Sequence, residues 1–169
     1  MIEVELTDPH HVTVGYTGVP GERTFYLQAQ DAEELVTLQL EKGQVEGRGE
    51  LRTQLLARVD DVPSSDWDRA AMELRTPIEP RWRIGDISLG LDPDVARFAL
   101  EVAEIAAEDV IDPREARVWC NQDQARRLAA HALEVIGQGR PRCELCGRPT
   151  DVDGGHVCPA TNGHGRLTR

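Results

Sequence analysis

Apolar and polar residues alternate in several short segments near the start of the chain, with the two-residue period of β-strands. In "TFYLQA" (24–29), Phe25, Leu27 and Ala29 fall on one face. The intervening "GVPGER" (18–23) is typical of a tight turn, because Pro20 presets φ at its second position and Gly21 can adopt positive φ at its third. The same reasoning predicts further strands at 2–6, 11–17 and 35–40.

The hydrophobic period lengthens in residues 42–59, where Leu51, Leu55 and Val59 recur at four-residue spacing. This spacing predicts a helix with one buried face. The start of this helix is only weakly favoured, since each glycine there costs about 1 kcal/mol relative to alanine. Residues 60–80 are predicted to form a long connection containing one helical turn.

The second half of the chain then echoes the first. We expect two β-β-β-α units, at 11–59 and 82–137, although two unrelated α+β halves could also produce such an echo by chance. The predicted fold class is α+β, with the strands sharing one antiparallel sheet or a sandwich and the helices covering a face. The matching segments are "VTVG" (12–15) with "WRIG" (82–85), each ending in a glycine that opens a turn-rich stretch, "FYLQA" (25–29) with "FALEV" (98–102), and "TLQLEKGQV" (37–45) with "RVWCNQDQA" (117–125).

The last predicted helix begins near Asn121. Asn121 and Gln124 have the spacing of a capping box, in which each side chain bonds to the main chain of the other. The apolar stripe of this helix comprises Ala125, Leu128, Ala129, Ala132, Leu133 and Ile136. Together these patterns predict an α+β body at 1–138, followed by a small appendage at 139–169.

Charge separates the body from the appendage. The 169 residues carry a net charge of −11, and from residue 137 onward five arginines stand against three acids. That segment is therefore +2 and the preceding body −13. An acidic body repels phosphate backbones, so nucleic-acid binding would have to use the tail.

The chain begins "MIEVELTDPHH", with acids where a signal peptide would have basic and apolar regions. No apolar run approaches the roughly 20 residues that span a bilayer. We therefore expect a cytosolic protein, in which thiols stay reduced and clustered cysteines are metal ligands more often than disulfides.

Three of the four cysteines lie in "CELCGRPTDVDGGHVC" (143–158), with the spacing Cys143-x2-Cys146 and His156-x-Cys158. A Cys-x2-Cys turn directs two thiolates to one centre, and an i, i+2 pair projects to one side of a strand. The resulting Cys3His set suits tetrahedral zinc in a structural role, because catalytic zinc keeps one position open. A reduced metal-free loop and an adventitious disulfide are the alternatives, and His164 is an alternative ligand to His156.

Other candidate residues have ordinary interpretations. Cys120 is expected to be a buried core thiol. Lys42 lies among glycines at a strand-to-helix junction, where phosphates can bind, but "LEKGQVEGRG" is not a Walker loop. The pair His10-His11 and the acids of 101–112 alternate with apolar residues, as on a solvated sheet face. No catalytic motif is present, and we predict no catalytic residue.

With these residues in view, the chain resembles an actinobacterial family of uncharacterised proteins, domain of unknown function 3090. The resemblance covers nearly the whole sequence. Relatives commonly have proline where this chain has Glu144, and no histidine at 164, which implies that His156 is the ligand. The resemblance to this family rests on "PGERTFYLQA" (20–29), "LEKGQV" (40–45), "IGDISLGLD" (84–92) and "GRPRCELCGRPTDVDGGHVCPATNG" (139–163).

The resemblance carries no established activity. Relatives are encoded near a histidine-phosphatase-like protein and a phosphoinositide-kinase-like protein, which implies an association with phosphate- or inositol-related enzymes. Polar residues shared with the family serve either a ligand site or buried hydrogen bonds that hold the sheet. They are Arg23, Gln28, Glu41, Lys42 and Gln44.

The function expected from these observations is that of a non-catalytic, zinc-stapled cytosolic binding or adaptor protein with a protein partner. Two alternatives stay open. One is a nucleic-acid-binding module that uses the tail. The other is an enzyme or sensor of a phosphorylated metabolite, with Arg23, Gln28 and Lys42 as candidate ligand-binding residues.

Overall fold

The computed structural model describes residues 2–41, 68–92, 94, 96–106, 112–137, 143–146, 156, 158 and 159. These residues contain seven strands, one α-helix and a 3-10 turn at Ala70–Met72. The strands are β1 (Ile2–Leu6), β2 (His11–Thr17), β3 (Thr24–Gln30), β4 (Leu35–Leu40), β5 (Ile84–Asp92), β6 (Arg97–Glu104) and β7 (Glu115–Cys120), and the helix is α1 (Gln122–Gly137).

The strands form two sheets, which confirms the α+β class. One sheet has the order β2-β3-β4 and the other β1-β7-β6-β5. All pairs are antiparallel except β1 with β7, which is parallel. The expectation of purely antiparallel pairing was therefore wrong for β1. Its neighbour lies more than a hundred residues away in sequence, so no local pattern encodes the direction of that pairing.

Residues 81–83 join the two sheets along the edge of β4. Arg83 forms a parallel bridge with Gln39. The Arg81 N–H donates to the Thr37 carbonyl at 2.9 Å, and the Gln39 N–H donates to the Trp82 carbonyl at 3.0 Å. After Arg83 the chain continues directly into β5, so residues 81–83 connect the edge of β4 to the second sheet.

The core is one cluster of buried apolar side chains from both sheets and the helix. The predicted inward residues Phe25, Leu27 and Ala29 are buried, as are Leu38 and Leu40 opposite them. Helix α1 packs mainly against β2. Its predicted stripe is buried at Ala125, Leu128, Ala129 and Ala132 and half-buried at Leu133, while the side chain of Ile136 lies outside the described residues.

Two local predictions are confirmed in detail. Gly21 has φ of +99°, and the Glu22 N–H donates to the Val19 carbonyl at 2.9 Å, as in a type II turn. The Asn121 N–H donates to Gln124 Oε1 at 2.9 Å, and the Gln124 N–H donates to Asn121 Oδ1 at 2.8 Å. The capping box thus begins α1 where the sequence places it.

The turn-rich stretch expected after Gly85 is instead the nine-residue strand β5. A register shift between Ile84 and Asp86 breaks the alternation at its start, and from there Ile87 and Leu89 face the core. Pairing with β6 along its length supplies the hydrogen bonds, and this tertiary pairing outweighs the low strand propensity of glycine and aspartate.

The two predicted units share one arrangement, since β2–β4 and β5–β7 are both three-stranded antiparallel meanders. The second continues into α1, as predicted. The predicted helix of the first unit, at 42–59, lies outside the described residues. The superposition of the units, and the division into 1–138 and 139–169, therefore stay predictions. Within the described ranges, no helix is long and apolar enough to cross a membrane.

Candidate metal centre

The structure brings together the four residues predicted as metal ligands. Cys143, Cys146, His156 and Cys158 each offer one ligand atom, and these atoms all lie within 4.8 Å of one another. This bound is slightly looser than the limit of about 4 Å expected for a bound tetrahedral ion. Cys158 is buried and the other three are half-buried. The set could hold a metal ion.

One of two distances between these ligand atoms matches a tetrahedral site of zinc size. A Zn–S bond of about 2.3 Å implies sulfur–sulfur edges of roughly 3.8 Å. The Cys143 and Cys158 sulfur atoms are 3.8 Å apart. Cys146 Sγ and His156 Nε2 are 3.1 Å apart, a hydrogen-bonding distance shorter than the roughly 3.6 Å of a tetrahedral S–N edge. The Cys143–Cys158 distance thus agrees with such an ion, whereas the Cys146–His156 distance is that of a hydrogen bond.

The turn at 144–146 prepares Cys143 to bind as a thiolate. Main-chain N–H groups of Cys146 and Leu145 bond to the Cys143 sulfur and lower the pKa of that thiol, with smaller contributions from the Cys146 and Cys158 thiols. Hydrogen bonds to a thiolate favour the charged form, which is the form that binds metal. The second predicted pair adds an imidazole and a third sulfur to the same centre.

Cys120 lies apart from this set, in β7. It is 1% exposed, and burial raises the pKa of its thiol to about 12. A thiol of this kind is neutral at physiological pH and neither binds metal nor attacks as a nucleophile. The prediction of a buried core thiol is confirmed.

The remaining candidate ligand-binding residues do not converge in the described structure. Gln28 is fully buried, and both hydrogens of its amide are used, on Thr37 Oγ1 at 3.0 Å and the Arg75 carbonyl at 2.9 Å. Of its two predicted roles, the structure favours the buried hydrogen bonds that hold the sheet. The Arg23 guanidinium stacks over the Tyr16 ring, 4.0 Å from its centre. Lys42 and His164 lie outside the described residues.

The acids of the second sheet pair with arginines across neighbouring strands. Arg117 Nε donates to Glu101 at 2.9 Å, and Arg114 Nε donates to Glu104 at 2.7 Å, which lowers the pKa of Glu104. These contacts agree with the solvated sheet face predicted for this region.

The prediction of a solvated face was wrong for His11, which is only 4% exposed. His11 is covered by residues 69–77. These residues lie in a segment predicted as a connection, where no sequence pattern indicates packing against a sheet.

Comparison with protein families gives a match that covers most of the chain. The family model described as "Protein of unknown function (DUF3090)" matches residues 4–158. This range includes all seven strands except the first residues of β1, the helix, and the four residues of the candidate metal centre. The chain belongs to this family. No curated protein and no solved structure matches the chain. The inferred resemblance to domain of unknown function 3090 is confirmed, and the family has no established activity.

Proposed function

We propose that the protein binds one zinc ion through Cys143, Cys146, His156 and Cys158, and that it works as a non-catalytic binding or adaptor protein in the cytosol. The observation that carries the proposal is the convergence of three sulfurs and one imidazole nitrogen within 4.8 Å. Such a sulfur-rich set is characteristic of structural zinc.

The chemistry of the ligands favours a structural role. Three thiolates and one neutral imidazole bring a charge of −3 to an ion of +2, which makes the ion a poor Lewis acid. Four protein ligands also fill a tetrahedral site and leave no position for a water molecule or a substrate. Zinc would tie the turn at 143–146 to His156 and Cys158.

A partner would then be engaged by the remaining surface. Arg23 and Lys42 are the polar strand-end residues proposed for that contact, together with the basic tail. Because the body before residue 137 carries −13 and the tail +2, an anionic partner would approach the tail, and added salt would weaken the complex.

The two alternatives receive less support. A nucleic-acid-binding role has to overcome the charge of the body. A site for a phosphorylated metabolite at Arg23, Gln28 and Lys42 loses one of its residues, because the Gln28 amide is buried and already bonded to Thr37 and Arg75. An association with phosphate- or inositol-related enzymes would then come through a partner protein.

Metal analysis and activity screening test the proposal together. Protein purified from its native cell should contain about one zinc per chain, and X-ray absorption should show three sulfur and one nitrogen neighbours at the distances typical of structural zinc. The zinc-loaded protein should show no turnover in hydrolase and transferase screens. Co-purifying proteins would identify the partner.

The matched variant is His156→Cys, which keeps four ligands and should keep both metal and fold. Turnover that is present in the original protein and abolished in this variant would mean that the site is catalytic. Protein that contains no zinc under any condition of purification would contradict the structural role.

A further inference from the structure

Residues 69–77 cross the outer face of the β2-β3-β4 sheet as a strap. Beneath the strap the sheet is unusually polar. The inward residues of this sheet are apolar, whereas its outer face holds every buried polar residue in the described part of the chain. These are His11, Thr13, Gln28 and Thr37.

Side chains of the sheet hold the strap through its main chain. Thr13 donates to the Met72 carbonyl, and the Gln28 amide bonds to both the N–H and the carbonyl of Arg75. Leu74 packs so closely over Gly15 that a Cβ at position 15 would lie 2.6 Å from Leu74 Cγ. The closed strap therefore depends on a few side-chain hydrogen bonds and one close apolar contact.

His11 lies buried under this strap. It is 4% exposed, and its Nε2 has no hydrogen-bond partner among the described residues. Its nearest charges are unfavourable, since Arg75 and His10 both oppose protonation of the ring. The Arg75 guanidinium donates to the Gln30 side chain and, at 3.1 Å, contacts His10 Nε2. A charged imidazole would be buried beside a fixed cation.

The other ionisable groups near the strap do not offset this charge. Burial is the largest cause that lowers the pKa of His11, to about 4, followed by Arg75. Hydrogen bonds to the Ala71 main chain and the Gln28 side chain act in the opposite direction but are smaller. Other charged or titratable groups on the strap and on the elements beside it include Asp68, Arg69, Glu73, Asp31, His131 and Glu134, and none of them is among the main causes that set the pKa of His11.

We propose that residues 69–77 are an acid-released strap, which stays closed while His11 is neutral and opens when His11 takes up a proton. In the open state water hydrates the imidazolium, and its repulsion from Arg75 is relieved because the strap has moved away. Opening also releases the Gln28 amide and the Thr13 hydroxyl, which then become available to another extended peptide. The strap is thus an intramolecular cover whose position depends on pH.

Hydrogen exchange of the full chain tests the proposal. A ring with a pKa of about 4 when closed and 6.5 when open shifts the opening equilibrium by about 30-fold between pH 7.5 and pH 5.0. After correction for intrinsic exchange rates, amides at 69–77 should lose about that much protection at pH 5.0, while β6 and β7 keep theirs. Equal loss in the strap and in β6–β7 would show global unfolding and overturn the proposal, as would an unchanged strap.

Two further measurements assign the effect to His11. In His11→Gln the exchange of the strap should no longer depend on pH, whereas the neighbouring His10→Gln should keep the dependence. Because a His11→Gln strap that is open at every pH would also show no pH dependence, the ring of His11 is titrated by NMR in the unmodified protein as well. Its titration and the loss of strap protection should have the same midpoint, and separate midpoints would overturn the proposal.

Discussion

The side-chain amide of Gln28 bonds to the main chain of Arg75 in both directions. Its Nε2 donates to the Arg75 carbonyl at 2.9 Å, and its Oε1 accepts from the Arg75 N–H at 2.7 Å. The same Nε2 donates to Thr37 Oγ1 on the neighbouring strand at 3.0 Å. One fully buried side chain thus joins β3 to β4 and holds the strap on the sheet.

Replacing Gln28 with leucine should lower the free energy of unfolding by about 2–4 kcal/mol, because buried groups of Arg75 and Thr37 lose their partner. Urea unfolding followed by circular dichroism measures this change. Gln122→Leu, at an exposed position at the start of α1, is the control and should lie within about 0.5 kcal/mol of the original protein. A Gln28→Leu protein as stable as this control would mean that the strap is held by other contacts.

Gly15 and Gly90 offer a matched pair of strand glycines. An alanine Cβ at position 15 would lie 2.6 Å from Leu74 Cγ, whereas one at position 90 meets Ala99 Cβ at an ordinary 3.9 Å. We expect Gly15→Ala to destabilise the protein by about 1–3 kcal/mol through overpacking, and Gly90→Ala to be neutral or stabilising. Adding Leu74→Ala should remove most of the cost of Gly15→Ala. If the effects of Gly15→Ala and Leu74→Ala on stability simply added, the cost at position 15 would not come from contact with Leu74.

The capping box of α1 should contribute measurably to stability. Asn121→Ala removes the acceptor for the Gln124 N–H and should cost about 1 kcal/mol, whereas Asn121→Asp keeps an acceptor and should cost much less. Thermal and urea unfolding of the two variants test this order. Equal stabilities of the alanine and aspartate variants would show that the helix beginning is set by packing alone.

His131 adds a second source of acid sensitivity. Burial lowers its pKa, while its bond to the Val14 main chain and the proximity of Glu134 raise it by less. As pH falls below about 6.5 the unfolded chain binds the proton more tightly than the folded one, so stability is lost with decreasing pH. Urea unfolding at pH 7.5 and 5.5 should show a smaller loss for His131→Gln than for the original protein. An equal loss would exclude His131.

Replacing a cysteine of the candidate metal centre and replacing the core cysteine should have different effects on metal content and on the stability of the body. Cys146→Ala should lose the zinc and disorder the loop around it while leaving α1 and the sheets folded, because the ion organises only local chain. Cys120→Ala should keep the zinc but destabilise the body by about 1–2 kcal/mol, since it leaves a small cavity in the core. Metal content and thermal unfolding of both variants check this. Loss of zinc in Cys120→Ala would contradict the assignment.

Some features follow from short stretches of sequence because their physical cause is local. A proline and a glycine in succession define the turn at 18–23, and Asn121 with Gln124 marks the start of α1. The two-residue alternation at Phe25, Leu27 and Ala29 identifies the inward face of β3. The cysteine and histidine spacing identifies the four residues that could hold a metal ion, since each pair is short enough for local geometry to bring its two members together.

Other features were missed because their cause is distant in sequence. β5 contains two glycines and two aspartates, and it is a strand because β6 pairs with it along its whole length. The burial of His11 depends on Arg75 and its neighbours, about sixty residues away, and no periodicity in residues 69–77 indicates that they cover a sheet. The polar residues Thr13, Gln28 and Thr37 have the alternation of a solvated face until that cover is known.

By itself, the sequence determined the α+β class, the strands β1 to β4, the beginning of α1, the four residues of the candidate metal centre and the family, because each depends on residue types and spacings within short stretches of chain. Only the tertiary structure decided that β1 runs parallel to β7, that residues 81–83 join the two sheets and that His11 is buried under a strap. These features arise from pairing and burial between distant segments, where many arrangements satisfy the same local pattern and packing selects one.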